Sequence, residues 1–141
     1  MSIILKIRAK KNTSRLLNIC SDLIDKYENE NKTITSSCKK DLMALLKVRF
    51  DEAQEEIANW KDYDTDYIQI AHSMLAHATF DLLSSGRYHI YHGTLNPMSC
   101  ASNLMNVYSC VMKRAVEIGE FTEDVRKEQF DYLHKCIAEV G

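Results

Sequence analysis

One segment of the chain concentrates side chains that could do chemistry. From Gly86 to Asn96 it reads Gly-Arg-Tyr-His-Ile-Tyr-His-Gly-Thr-Leu-Asn. Arg87 is a permanent cation, Tyr88 and Tyr91 are flat rings with a hydroxyl each, and His89 and His92 titrate near neutrality. Such a set suits a small anionic, aromatic or phosphate-bearing ligand, with the N–H groups at the start of the next helix as further donors. Arg87, Tyr88, His89, Tyr91 and His92 are therefore the candidate ligand-binding residues. The competing reading is structural: Tyr88, Ile90 and Tyr91 plug the end of a bundle while the two imidazoles satisfy backbone groups.

Three other constellations are weaker. Asp62, Asp64 and Asp66 have the alternation of a calcium loop, but that loop needs a glycine at its sixth position and a glutamate at its twelfth. Tyr67 and Ser73 stand there, so helix capping is the better account. Four of the five histidines fall between His72 and His92. His72 and His77 are five apart, which turns them too far around a helix to share one ion, and no metal site or cofactor is expected. Ser73, His77 and Asp81 follow one another at i, i+4 and have the residue types of a hydrolase triad. Known triads draw on separate elements and add an oxyanion hole, so a local His77–Asp81 polar pair is expected instead. Asp81 is also expected to meet Arg49, since each is a lone charge on an apolar face and an unpartnered buried charge is costly.

The Arg-x4-His spacing of Arg87 and His92 resembles the HEPN family, small α-helical ribonucleases and nucleotide-binding domains in which these two residues act at a dimer interface. The resemblance covers six residues and implies that Arg87 steadies a phosphate while His92 serves as acid or base on the ribose, without metal. In the family the residue after the arginine is usually polar; here it is Tyr88.

The elements that must position these residues are helices. With one proline and four glycines in 141 residues, the chain lacks the breakers that the tight turns of a sheet protein need. A first helix is expected from about Thr13 to Glu30, with Leu16, Cys20, Leu23, Ile24 and Tyr27 on one stripe. Residues 1–11 are expected as an arm or a short separate helix: Ile3, Ile4 and Ile7 are out of phase with that stripe, although Leu5 and Ala9 are in phase. A second helix carries Cys38, Leu42, Leu45, Leu46, Phe50, Ala53, Ile57 and Trp60 over about six turns. The third runs from the aspartate turn to Ser85-Gly86 and is apolar on its back as well, through Ala76, Thr79 and Leu83, which makes it the central helix. Asn96-Pro97 opens a fourth, to Ile118, and Thr122 caps a fifth. The short link between those two makes them antiparallel neighbours.

The formal net charge of −2 gives no general attraction to nucleic acid or acidic membranes. The basic start, Lys6 to Arg15, lacks interleaved aromatics and no helix-turn-helix follows it, so it reads as a solvated face. Between Tyr67 and Met112 the only formal charges are Asp81 and Arg87, which marks a buried centre or an interface. The five cysteines form no C-x-x-C pair and are read as small apolar residues in a reducing compartment. Ile3-Ile4-Leu5 is too short for a signal-peptide core, and no run reaches the ~18 apolar residues of a membrane span. The sequon matches at Asn12 and Asn31 therefore carry little weight.

The expectation is a cytoplasmic, all-α, single-domain bundle of about five helices, a four-helix-bundle-like core plus an N-terminal helix or arm. It leans toward a non-enzymatic interaction module that self-associates or binds a protein partner, with neither nucleic acid nor membrane engaged. A small-molecule or nucleotide pocket at residues 86–96 is the alternative, and a HEPN-like ribonuclease using Arg87 and His92 the further one.

Overall fold

The structure of the chain, a computed structural model, describes residues 2–30, 36–61, 63–86 and 97–140. Within them are six helices and no strand: α1 (Ile3–Glu30), α2 (Ser36–Glu52), α3 (Gln54–Ala58), α4 (Tyr67–Ser85), α5 (Pro97–Glu117) and α6 (Glu123–Val140). The chain is an all-α bundle.

Helix α1 starts where Ser2 caps it, its Oγ accepting from the Leu5 N–H at 3.2 Å and its carbonyl from Lys6 N–H at 2.9 Å. It then runs 28 residues without interruption. Residues 3–11 are thus its first turns and form neither a separate helix nor an arm. The in-phase residues decide this. Ala9, Leu16, Cys20, Ile24 and Tyr27 are all buried along one stripe, with Asn12 and Thr13 buried between them. The three out-of-phase isoleucines are left outside.

Helix α2 is shorter than its apolar pattern implies. The stripe Leu42, Leu46, Phe50 is buried, but the helix breaks at Ala53 (φ −102°, ψ 23°) and resumes as the five-residue α3. Two side chains fix the break. The Gln54 amide donates to the Phe50 carbonyl at 3.1 Å and to Thr13 Oγ1 at 3.2 Å. The Asn12 amide donates to the Ile57 carbonyl at 2.8 Å, at the end of α3. Asn12 Oδ1 in turn accepts from the Tyr67 hydroxyl at 3.2 Å, which joins α1 to the start of α4. Arg15 lies over the Tyr67 ring, 4.1 Å from its centre, and Trp60 meets that ring edge-on. Asn12 is 2% exposed, so the sequon there is closed to modification in the folded chain.

Helix α4 is central. It packs on α1, α2, α5 and α6, and Tyr67, Ala71, Leu75, Ala78, Thr79, Leu82 and Leu83 are buried along it. Asp66 caps its start, accepting from the Gln69 N–H at 3.1 Å, and Gly86 ends it at φ 69°, a left-handed conformation that glycine adopts without strain. Arg49 of α2 and Asp81 of α4 form the expected ion pair. Both remain about one-third exposed, so the pair contributes about 1 kcal/mol at most. Cys20 is wholly buried and burial pushes its thiol up to about 12, which makes it an inert apolar residue.

Pro97 opens α5, where its missing N–H costs nothing. Gly119 turns the chain at φ 84°, and Thr122 Oγ1 accepts from the Val125 N–H at 3.2 Å to start α6. Tyr108 of α5 packs against Phe130 of α6 with ring centres 5.3 Å apart, as antiparallel neighbours would.

The Asn12 bridge is testable. Asn12→Ala removes both hydrogen bonds of the bridge, to the Ile57 carbonyl and from the Tyr67 hydroxyl, and stability by urea denaturation should fall by about 1–3 kcal/mol. In the double variant with Tyr67→Phe the two losses should be less than additive. Strict additivity would show that the bridge is not coupled.

Candidate functional site

The face of α4 turned away from the α1 core is built differently from the buried one. His72, Ser73, Ala76, His77 and Phe80 occupy it, and across from them stand Tyr108, Val111, Met112, Arg114, Ala115 and Ile118 of α5. Glu120 and Phe121 of the link and Gln129 of α6 complete a cleft of about 400 Å³. Ala76 and Ala115 project only methyl groups from helices that otherwise meet through large side chains, which leaves the space open. The walls are aromatic. Phe80 lies 6.1 Å from Tyr108 and stacks on Tyr132 at 6.0 Å, centre to centre.

Several polar groups of the cleft offer donors. The Tyr108 hydroxyl donates to Gln129 Oε1 at 2.5 Å, which leaves the N–H donors of the Gln129 amide uncommitted among the described residues. Burial pushes the Tyr108 phenol up to about 12, against a smaller opposing effect of Arg126, so it stays a neutral donor. Among the described residues Arg114 pairs with Glu117 alone, at 3.8 Å with both side chains more than half exposed, so its guanidinium keeps most of its donors there. The one carboxylate in the lining, Glu120, accepts from the Gln69 amide through one oxygen at 2.5 Å.

His72 is a positioned group. Its Nδ1 lies 2.8 Å from the Ile68 carbonyl, which can only accept, so Nδ1 carries the hydrogen. In the neutral ring Nε2 then accepts from the Tyr27 hydroxyl at 2.6 Å. Beyond His72 and Arg114 a second hollow of about 570 Å³ continues onto the surface of α1 and carries Lys26 and Lys113. The two hollows share His72 and Arg114 as a common rim.

Ser73 and His77 line the cleft one turn apart, but the third member of their stripe does not join them. Asp81 pairs with Arg49, and the expected His77–Asp81 pair is not formed. A full guanidinium charge is the stronger partner for a carboxylate than an exposed imidazole one turn away. Among the described residues no acid is bonded to His77. Among the described residues no three His, Cys, Asp or Glu side chains converge as a metal site would require.

The sequence-derived candidates Arg87, Tyr88, His89, Tyr91 and His92 lie outside the described residues, as does Asp62 of the aspartate turn. The cleft lies elsewhere on α4: its lining ends at Phe80, before the helix reaches Gly86. Of its residues the sequence weighed His72 and His77 for a metal, Ser73 and His77 for a triad, and Ala76 for the apolar back of α4. It missed Arg114, Gln129 and Phe121. The available signal was weak: Lys113 and Arg114 are the first charges after the charge-poor stretch that ends at Met112. Comparison of the chain with protein families, with curated proteins and with solved structures finds no match.

The Tyr108 phenol gives a pH test. Its folded value is raised above the ordinary 10.0, so the folded state holds the proton more tightly. The associated stability is fully present below pH 10.0 and is lost as pH rises toward about 12. Tyr108→Phe should lower stability near neutrality, through the lost Gln129 bond, and make the alkaline decline shallower. Urea midpoints at stepped alkaline pH check this, and parallel declines would contradict it.

Proposed function

We propose that the protein is a non-enzymatic binding module whose α4–α5–α6 cleft takes a small aromatic molecule bearing an acidic group. The observation that carries this is the mismatch between the cleft's walls and its polar groups. The walls are rings and methyl groups, while Arg114 and the Gln129 amide offer donors and the single carboxylate, Glu120, stands at the link with one oxygen bonded to Gln69. A concave apolar site with a few donors on one side is complementary to a flat apolar body with acceptors at one end. The basic hollow across the Arg114 rim, with Lys26 and Lys113, supports placing the acidic end there. Of the readings the sequence offered this is the alternative, a small-molecule pocket, here argued for the cleft; residues 87–96 lie outside the described residues.

Anilinonaphthalene sulfonate, an aromatic anion, is a direct probe. It should bind saturably, one per chain, with a fluorescence gain. Arg114→Ala should weaken it about tenfold, the scale of one hydrogen bond to a charged group, while a neutral naphthylamine analogue should be indifferent to that change. Ala76→Trp should fill the cleft and abolish binding of both. Absence of saturable binding, or binding that Ala76→Trp leaves intact, would overturn the reading.

A further inference from the structure

The start of α1 has a second face that nothing in the fold uses. Ile3, Ile4 and Ile7 are 76%, 70% and 65% exposed, the largest run of exposed aliphatic side chains in the described residues. Spacings of three and four residues place them on one side of the helix. Cations surround them. On the helical wheel Lys6 and Lys10 flank the stripe on one side and Arg8 on the other, and Lys11 continues it one turn on. All four are exposed, and none forms an ion pair among the described residues. No acid occurs before Asp22. Only Leu5 and Ala9 of these turns face inward.

We infer that this face docks on the surface of an anionic lipid bilayer, lying in the interface without crossing it. Two features select a bilayer over a protein partner or a second copy. First, the apolar residues sit on a convex helix and not in a groove, so a protein would have to supply a matching trough, whereas a headgroup layer deforms around them. Second, the cations stand on both flanks of the stripe. From there their long side chains can reach phosphates while the isoleucines sink between headgroups, the arrangement of interfacial helices. A second copy docking through the same face would bring these cations onto one another. No helix among the described residues is long and apolar enough to cross a membrane; surface docking asks for no such helix. The inference is independent of the cleft's ligand.

Flotation with vesicles of mixed phosphatidylcholine and phosphatidylglycerol, against phosphatidylcholine alone, tests it. The full chain should float with the anionic vesicles only, and less so as salt is raised. Lys6→Gln and Lys10→Gln should each weaken partitioning about fivefold, the effect of one basic residue near an anionic surface. The triple change Ile3→Ser, Ile4→Ser, Ile7→Ser should weaken it at least about tenfold while leaving the far-ultraviolet circular dichroism and melting temperature unchanged, because these side chains touch little of the fold. Failure to float, flotation insensitive to the isoleucines, or a lipid-free oligomer that the triple change dissolves would each overturn the inference, the last by showing that a second copy covers the face.

Discussion

A side-chain amide shut away from water must find hydrogen-bond partners or cost the fold several times what a made bond returns, and Asn12 is where this chain meets that constraint. Its N–H group takes the carbonyl that ends α3, and its oxygen takes the hydroxyl of the residue that begins α4. One residue in the second half-dozen positions of the chain thereby sets the geometry of segments 45 and 55 residues away. The break at Ala53 is held on both sides from α1: Gln54 bonds Thr13, and the Ile57 carbonyl accepts from Asn12. Tyr67, fixed at its hydroxyl, offers its ring to Arg15 and Trp60, so the polar knot and the aromatic packing at this end of the bundle support each other.

Fixing the start of α4 fixes which way both of its faces look. One face meets α1 and α2 and is apolar except where Arg49 and Asp81 pair at its edge. The other looks toward α5 and α6 and does not close, because Ala76 and Ala115 are too small to fill the gap between Phe80, Tyr108 and Phe121. The cleft is thus a by-product of helix placement and side-chain size together. Rotating α4 by one residue would carry His72 away from Tyr27 of α1, whose hydroxyl bonds its Nε2.

Much of this was legible in the sequence. Helix ends were marked by residues whose roles are local: Asp66, Gly86, Pro97 and Thr122 act within a turn of where they stand, and a reader needs only the next few residues to see it. The centrality of α4 could be read because charge scarcity is a summed property of a long stretch. The Arg49–Asp81 pair could be read because each charge was isolated on an apolar stripe. What could not be read depends on contacts far along the chain. Asn12 looks like any polar residue until Ile57 and Tyr67 are brought to it, and the six-turn stripe of α2 gave no warning of Ala53. The cleft was missed for the same reason. Arg114 and Gln129 sit on different helices, and the donor excess they create exists only after α5 and α6 have packed.

The two surfaces with unspent capacity obey opposite rules, which argues that they serve different partners. In the cleft the apolar groups are recessed and Arg114 stands at the rim, so the ligand proposed for it is one small enough to enter and carrying acceptors. On the outer side of α1 the apolar groups protrude and the cations diverge from them. A discrete ligand has nothing to enter there, and only an extended anionic surface meets all the charges at once. The overall charge of −2 conceals this division. Because no acid precedes Asp22, the acidic excess resides in the later helices, and the field at the start of α1 is positive whatever the sum. Net charge describes attraction at distances larger than the molecule. At contact, within a screening length of about 8 Å, the local arrangement decides.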